Sequence, residues 1–411
     1  YGILASRVTT GEKLGVANGY HYVKERYTTT ATVINDYGTI LEEITHGEKL
    51  DLNNMITEKY ETKCQFNAYG ILVSQVTEGE ELDMVAGIVT VVGRYTKTAT
   101  AISAYGTIWE ERTVGEKFGE GAITIERYET TSLFNIYGIL VSQVTEGEEL
   151  DMVAGIVTVV GRYTKTATDI SAYGTILEEI THGEKLDLNN MITEKYETKC
   201  QFNAYGILAS RVTTGEKLGV ANGYHYVKER YTTTATAIND YGTVLEASTE
   251  GVVLGEKDEA IGFYLTESRY NEYGILVEQY SGLLIPNASG YPGIETFLYV
   301  EYKIDVYGNI IYTHVYDANG KEIPGLSGEG YKEPGSIIVE FVGKMQGGEN
   351  SLADLYRSDP GCEEPESTQG DTDELRRREI ALLLQARAND PNFIGQMADE
   401  KDGSLSLTEG K

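Results

Sequence analysis

The chain is 411 residues long, with 41% hydrophobic residues, 31 tyrosines and a formal net charge of −30. That apolar and aromatic content excludes a disordered chain, and the acidic surface repels nucleic acid and anionic membranes, so no nucleic-acid partner is expected. No apolar run approaches the roughly 18 residues of a membrane helix, so no membrane span is expected either.

From the first residue onward a Tyr-Gly pair recurs ten times, at Tyr1, Tyr37, Tyr69, Tyr105, Tyr137, Tyr173, Tyr205, Tyr241, Tyr273 and Tyr307. The spacings alternate 36 and 32 residues and end on 34, so the underlying period is 68. Residues 37–68 and 173–204 are identical. Residues 1–36 match 205–240 except at Val33/Ala237, and 69–104 match 137–172 except at Ala101/Asp169. A fixed period of this kind marks an array in which each unit buries its apolar face against its neighbours. Because Tyr1 falls inside a repeat motif, the sequence reads as a fragment or processed product.

Residues 1–240 are the near-identical alternating repeats. Within a unit, Ile88-Val89-Thr90-Val91-Val92-Gly93-Arg94-Tyr95 is dominated by β-branched and aromatic residues, which favour strand. Phe66-Asn67-Ala68-Tyr69-Gly70-Ile71 then reads as strand, turn, strand: Asn bonds its own backbone in a turn, and Gly supplies positive φ. The turn glycines are Gly38, Gly70, Gly106, Gly138, Gly174, Gly206, Gly242, Gly274 and Gly308. A second turn is expected at Gly47-Glu48-Lys49 and its equivalents, including the Glu-rich Thr77-Glu78-Gly79-Glu80-Glu81. Each unit is then a β-hairpin with strands of roughly 13–15 residues, longer than most.

Residues 241–343 are divergent repeats that close the array, with an insertion-like Leu284-Ile285-Pro286-Asn287 and a last strand expected over Ser336–Val342. Residues 344–371 form a linker by composition. In the tail, 372–411, Thr372 caps a predicted helix from Asp373 to Ala388, with Leu375, Leu382, Leu383 and Ala386 on one side. Such a helix docks on the array or pairs with another chain. The predicted fold is all-β: a repetitive β-hairpin array, as a spiralling sheet strip, shell or solenoid, with a short C-terminal helix.

The turns Ile34-Asn35-Asp36-Tyr37-Gly38, Ile304-Asp305-Val306-Tyr307-Gly308 and Tyr316-Asp317-Ala318-Asn319-Gly320 resemble the Tyr-Asp repeat of the Rhs/YD family over about residues 1–343. The resemblance implies a long β-strip spiralling into a hollow shell in secreted toxins and surface adhesins, which enclose a toxin or bind glycans and partner proteins. It differs in its 32–36 residue spacing, longer than that of the family, and in having Asn or Ser where the family prefers Asp. The self-cleaving segment of that family has only a faint echo in Ser358-Asp359-Pro360-Gly361.

Chemistry is sparse. Four of the five histidines are repeat copies, His21/His225 and His46/His182, leaving only His314 unique. Cys64, Cys200 and Cys362 are an odd set that makes no disulfide framework. No triad, phosphate loop or clustered metal site stands out, so no catalytic residue, metal or cofactor is assigned. Carboxylates near the Gly-Glu segments are candidate Ca²⁺ ligands if neighbouring units stack them. Tyr27, Tyr95, Tyr163 and Tyr231, which follow an arginine, would align unit upon unit as a structural ladder or as glycan contacts. Asn287-Ala288-Ser289 matches a glycosylation sequon. These readings converge on a non-enzymatic extracellular or cell-surface scaffold, whose partners are a protein or glycan surface or other copies of itself. The alternatives are a self-assembling filament subunit and the carrier fragment of a toxin.

Overall fold

The computed structural model describes residues 3–346 apart from 18–19, 53, 86–87, 154, 222–223, 287–293 and 319. The linker, the tail helix, Cys362, Asp359 and the sequon lie outside the described residues. Twenty antiparallel strands and one short helix make up two compact units, residues 1–192 with 202–206 and residues 193–201 with 207 onward. The predicted all-β hairpin array is therefore what the chain forms.

The first unit holds β1 (Val8–Ala17), β2 (Tyr20–Ile34), β3 (Ile40–Leu50), β4 (Ile56–Phe66), β5 (Leu72–Val85) and β6 (Ile88–Ile102). It continues with β7 (Ile108–Phe118), β8 (Thr124–Phe134), β9 (Leu140–Val153), β10 (Ile156–Ile170) and β11 (Ile176–Leu186). Each strand pairs with the next, giving a meander. Long hairpins such as β5–β6, with 14 and 15 residues, alternate with short ones such as β7–β8, with 11 each. That alternation produces the 36/32 rhythm of the sequence.

The Tyr-Gly turns form for local reasons. The Asn35 side-chain oxygen accepts from the backbone N–H groups of Tyr37 (3.0 Å) and Thr39 (2.9 Å), while Gly38 N donates to Asn35 O. The nine turn glycines have φ between 74° and 88°, where a Cβ is disfavoured. Ser103 and Ser171 take the place of Asn with their hydroxyl oxygens.

The second predicted turn is not a turn. Gly47-Glu48-Lys49 lies inside β3 and Thr77–Glu81 inside β5, each opposite a tyrosine of the next strand. The far ends of the short hairpins close instead at segments such as Asp51–Asn54, where Asp51 Oδ1 accepts from Met55 N at 2.8 Å and Asn54 adopts φ 61°.

The second unit holds β12 (Ile192–Phe202), β13 (Leu208–Ala221), β14 (Tyr224–Ile238), β15 (Val244–Leu254), β16 (Ala260–Tyr270) and β17 (Leu276–Pro286). It ends with β18 (Ile294–Ile304), β19 (Ile310–Asp317), β20 (Gly328–Glu329) and the helix α1 (Pro334–Gln346). From β13 to β20 the meander continues, and α1 packs on β15, β16 and β17.

Residues Ser336–Val342, predicted as a strand, lie in α1. The run is rich in β-branched residues, but Ile337, Ile338 and Phe341 are buried while Val339 is exposed, a helical rather than alternating period. Pro334 starts the helix, a position where its missing N–H costs nothing.

The two units are built on different principles. In the first, Leu50, Leu150 and Leu186 are the only buried apolar side chains among the described residues. In the second, Val253, Leu283, Leu298, Val300 and Val315 join Ile323, Leu326, Ile337, Ile338 and Phe341 in one core. The divergence of residues 241–343 thus supplies a second layer for the sheet to pack against.

Candidate functional site

A glycine in mid-strand weakens a sheet unless something covers it. Here something does. Across the first unit a lateral row runs Gly11, Tyr27, Gly47, Tyr60, Gly79, Tyr95, Gly115, Tyr128, Gly147, Tyr163 and Gly183, each directly opposite the next. Every tyrosine ring leans over the glycine that precedes it, so that a Cβ on Gly47 would overlap the Tyr60 ring. The second unit repeats this with Gly215 under Tyr231 and Gly251 under Tyr264.

Having crossed the glycine, the phenol reaches a carboxylate two strands away. Tyr60 Oη donates to Glu25 at 2.7 Å, Tyr95 to Glu58 at 2.6 Å and Tyr264 to Glu229 at 2.8 Å. Tyr163 binds Glu126 and Tyr231 binds Glu194 in the same way. The carboxylate is itself held by a lysine one strand further on: Lys13–Glu25 at 2.8 Å, Lys49–Glu58 at 2.7 Å and Lys117–Glu126 at 2.7 Å. A single clamp therefore ties together four strands.

The electrostatics follow from this geometry. Burial alone would raise the Glu25 carboxyl, but hydrogen bonds from Lys13 and Tyr60 and the charges of Lys13 and Lys49 together hold it below the ordinary range. Glu126 is held down likewise by Lys117 and Tyr163 against its burial. Burial and the facing carboxylate push the phenols of Tyr60, Tyr95, Tyr163, Tyr231 and Tyr264 well above their ordinary value. Each phenol is thus held as the protonated donor and each of these carboxylates as the charged acceptor.

One variation keeps the clamp's charge while changing its source. Where β1–β2 has Lys13 and Glu25, the equivalent positions of β5–β6 are Glu81 and Gly93. The Glu81 carboxylate fills the space, its Oε2 2.7 Å from where a Cβ on Gly93 would sit. Burial first, then the charges of Glu81, Glu126 and Glu58, raise the phenol of Tyr128. A carboxylate thus faces the tyrosine in both kinds of long hairpin, supplied by one strand or the other.

Beside the clamps, paired hydroxyls join neighbouring strands: Thr29–Thr45, Thr62–Thr77, Thr130–Thr145, Thr198–Thr213 and Thr233–Thr249, each 2.8 Å apart. The opposite face carries exposed cross-strand pairs such as Arg94–Glu80 at 3.1 Å, which are worth about 0–1 kcal/mol apiece.

The clamp changes the reading of the glycan candidates. Tyr27, Tyr95, Tyr163 and Tyr231 are half-buried over Gly11, Gly79, Gly147 and Gly215, and the hydroxyls of the last three are committed to carboxylates. They alternate with glycine instead of stacking on one another. The tyrosines of the turns stand exposed instead: Tyr69, Tyr105, Tyr137, Tyr173 and Tyr205 are 79–92% exposed. The sequence held a signal for the clamp, since Gly79 lies nine residues after Gly70 and Tyr60 nine before Tyr69, equal distances from one turn.

The carboxylates considered for Ca²⁺ lie on strands and face lysine, arginine or tyrosine rather than gathering at turns. Among the described residues no group of three or more His, Cys, Asp or Glu side chains is placed to hold a metal ion. Cys64 and Cys200 are in no disulfide, and burial, with Glu43 nearby, pushes the Cys64 thiol up to about 11. His314 Nδ1 sits 2.9 Å from Glu322 beside Tyr312. No helix among the described residues is long and apolar enough to cross a membrane.

No family model and no curated protein matches the chain. Among solved structures it is weakly similar to a chain of the Photorhabdus luminescens Tc holotoxin pore, at 10% identity and a TM-score of 0.12. That likeness covers 75% of this chain, which spans 20% of the neighbour's length.

Proposed function

We propose that this protein is a non-catalytic repeat scaffold, a β-sheet whose role is to hold a long edge of turns in register for partners to bind. The carrying observation is the clamp. The same Gly, Tyr and carboxylate recur on strand after strand, so within the described repeats the clamp row offers no unrepeated constellation of the kind catalysis uses, and every added hairpin extends the same surface. An extracellular or cell-surface setting belongs to the proposal, supported by a net charge of −30 that keeps so open a sheet dispersed. So does an Rhs/YD-like role, supported by turns such as Asp305–Gly308, where Asp305 Oδ1 accepts from Tyr307 N and Asn309 N, both at 2.9 Å.

The test is deletion of residues 69–136, which removes β5 to β8. Strand β9 has the same sequence as β5, so β4 meets an unchanged partner at the new seam. The shortened chain is expected to fold, with its far-ultraviolet circular dichroism per residue and its cooperative melting retained. Aggregation or loss of cooperativity would remove the scaffold reading.

A further inference from the structure

The turn edge of the first unit carries a feature that its fold does not require. In each turn the structural work is done by Asn or Ser and by Gly, and the residue before the glycine contributes only a backbone N–H to the side-chain oxygen. Any residue could serve there. The chain nevertheless places tyrosine at every one, and its rings stand in solvent. A large aromatic group left exposed at repeated, structurally indifferent positions marks a binding surface.

The turns also stand side by side. A Cβ on Gly106 would lie 3.0 Å from Leu72 N, just beyond the preceding Tyr-Gly pair. A Cβ on Gly174 would lie 3.1 Å from Leu140 N, and one on Gly206 3.6 Å from Thr175 Cγ2. Gly138 alone among these has open space beside it. Successive tyrosines are two strands apart, a step of about 9.6 Å.

Two properties of the row select its ligand. The residues preceding Tyr69, Tyr105, Tyr137, Tyr173 and Tyr205 are Ala68, Ala104, Ile136, Ala172 and Ala204, all exposed and uncharged on a chain of net charge −30. Beside each of these rings the preceding side chain is apolar and adds nothing to the phenol for bonding the hydroxyls of a sugar, which favours a ligand that a ring and its single hydroxyl suffice to hold; at Tyr37, equally exposed, that neighbour is Asp36. The step itself matches one turn of a polyproline II helix, three residues at 3.1 Å or about 9.3 Å. Such a helix offers pyrrolidine rings to pack on tyrosine and free carbonyls to accept from its hydroxyl, and has few donors of its own.

Deepening the scaffold reading and resting on it, we infer that this edge binds a proline-rich, neutral or basic segment in polyproline II form, one helical turn per tyrosine. The pairing needs no change in the sheet and gains little from any single site. Affinity comes from the number of tyrosines engaged.

The experiment is fluorescence anisotropy of an end-labelled peptide of about fifteen prolines, five helical turns for the five-tyrosine row, with a lysine at each end. A Gly-Ser peptide of the same length and charge is the control. The full chain is expected to bind the proline peptide and not the control. The triple variant Tyr137→Ala, Tyr173→Ala, Tyr205→Ala is expected to bind at least ten-fold more weakly while melting as the parent does. Equal binding of both peptides, or unchanged binding by the triple variant, would overturn the inference. So would retention of a neutral β-glucan, or self-association, that the triple variant abolishes in place of peptide binding. The 69–136 deletion separates the two levels: a deletion that fails to fold sinks the scaffold, whereas a folded deletion that binds the proline peptide as tightly as the full chain, with Tyr69 and Tyr105 gone, sinks the ligand assignment alone.

Discussion

The phenol of Tyr60 passes over Gly47 and donates a 2.7 Å hydrogen bond to Glu25, which lies on β2, a strand separated from β4 by β3. The glycine is what makes this possible. Any side chain at that position would occupy the space the ring crosses. With Lys13 on β1 holding Glu25, the clamp is a property of residues on four strands, and its parts are expected to be energetically coupled.

Gly79→Ala is expected to destabilise the protein by about 1–3 kcal/mol, because the added methyl overpacks against the Tyr95 ring. In a Tyr95→Ala background most of that cost should vanish. A double-mutant cycle by chemical denaturation reads the difference, and a coupling below about 0.5 kcal/mol would mean the ring and the glycine are independent.

Stability is expected to hold a plateau from mildly acidic to mildly alkaline pH and to fall on both sides. Glu25 and Glu126 are held below the ordinary range, so their contribution is present above the unfolded carboxyl value of about 4.3 and is lost as pH falls through the folded one. The clamp phenols are raised, so theirs is intact below the unfolded value of about 10 and declines as pH climbs toward the folded one. Thermal melts across pH, repeated with Tyr60→Phe, Tyr95→Phe and Tyr163→Phe combined, should show a flatter alkaline arm in the variant. An identical alkaline arm would argue that these phenols ionise freely.

Gly70→Val should cost on the order of 1–2 kcal/mol through the left-handed backbone alone, since φ there is 77°. Gly106→Val should cost more, because its Cβ would also meet Leu72 N at 3.0 Å. Denaturation midpoints of the two variants should rank in that order, and the reverse order would show that neighbouring turns give way easily.

Ala122 is the one alanine with positive φ among the described residues, 59°, at a position where the equivalent turns have Asn54 and Asn190. Ala122→Asn is expected to stabilise by about 1 kcal/mol, as asparagine tolerates this conformation better. A neutral or lower melting temperature would indicate that the segment relaxes when unconstrained.

Gly262 of β16 stands where the repeats have Glu58, and a Cβ there would meet Ile338 Cγ2 of α1 at 2.5 Å. Gly262→Glu would restore the repeat residue and put a charge against the helix. The expected loss is about 3 kcal/mol or more, read as exposure of the α1 surface by hydrogen exchange. Protection of Ile337 and Ile338 unchanged from the parent would contradict the docking of α1 through this glycine.

Much of the sheet was legible in the sequence because repetition, β-branched runs and the Asn-x-Tyr-Gly turns are local signals. What escaped was long-range. Gly47 and Gly79 look like turn glycines until the tyrosine of the neighbouring strand is placed over them, and nothing within a few residues of either announces it. Ser336–Val342 reads as a strand by propensity, and only the shape of the surface left by Gly262 and Val253 makes a helix the better fit. The exposed turn tyrosines were visible as letters, but their exposure depends on Asn and Gly carrying the whole turn.

The clamp also gives the sheet a direction. Each tyrosine overlaps strands that precede it in the chain and none that follow, as a roof tile lies over the course below. Peeling strands away from the later end lifts each tile in turn, whereas pulling from the earlier end must first slide a strand out from beneath two others. Under mechanical load the first unit should therefore unzip at a lower force from its later end than from its earlier one, although its repeats are nearly the same.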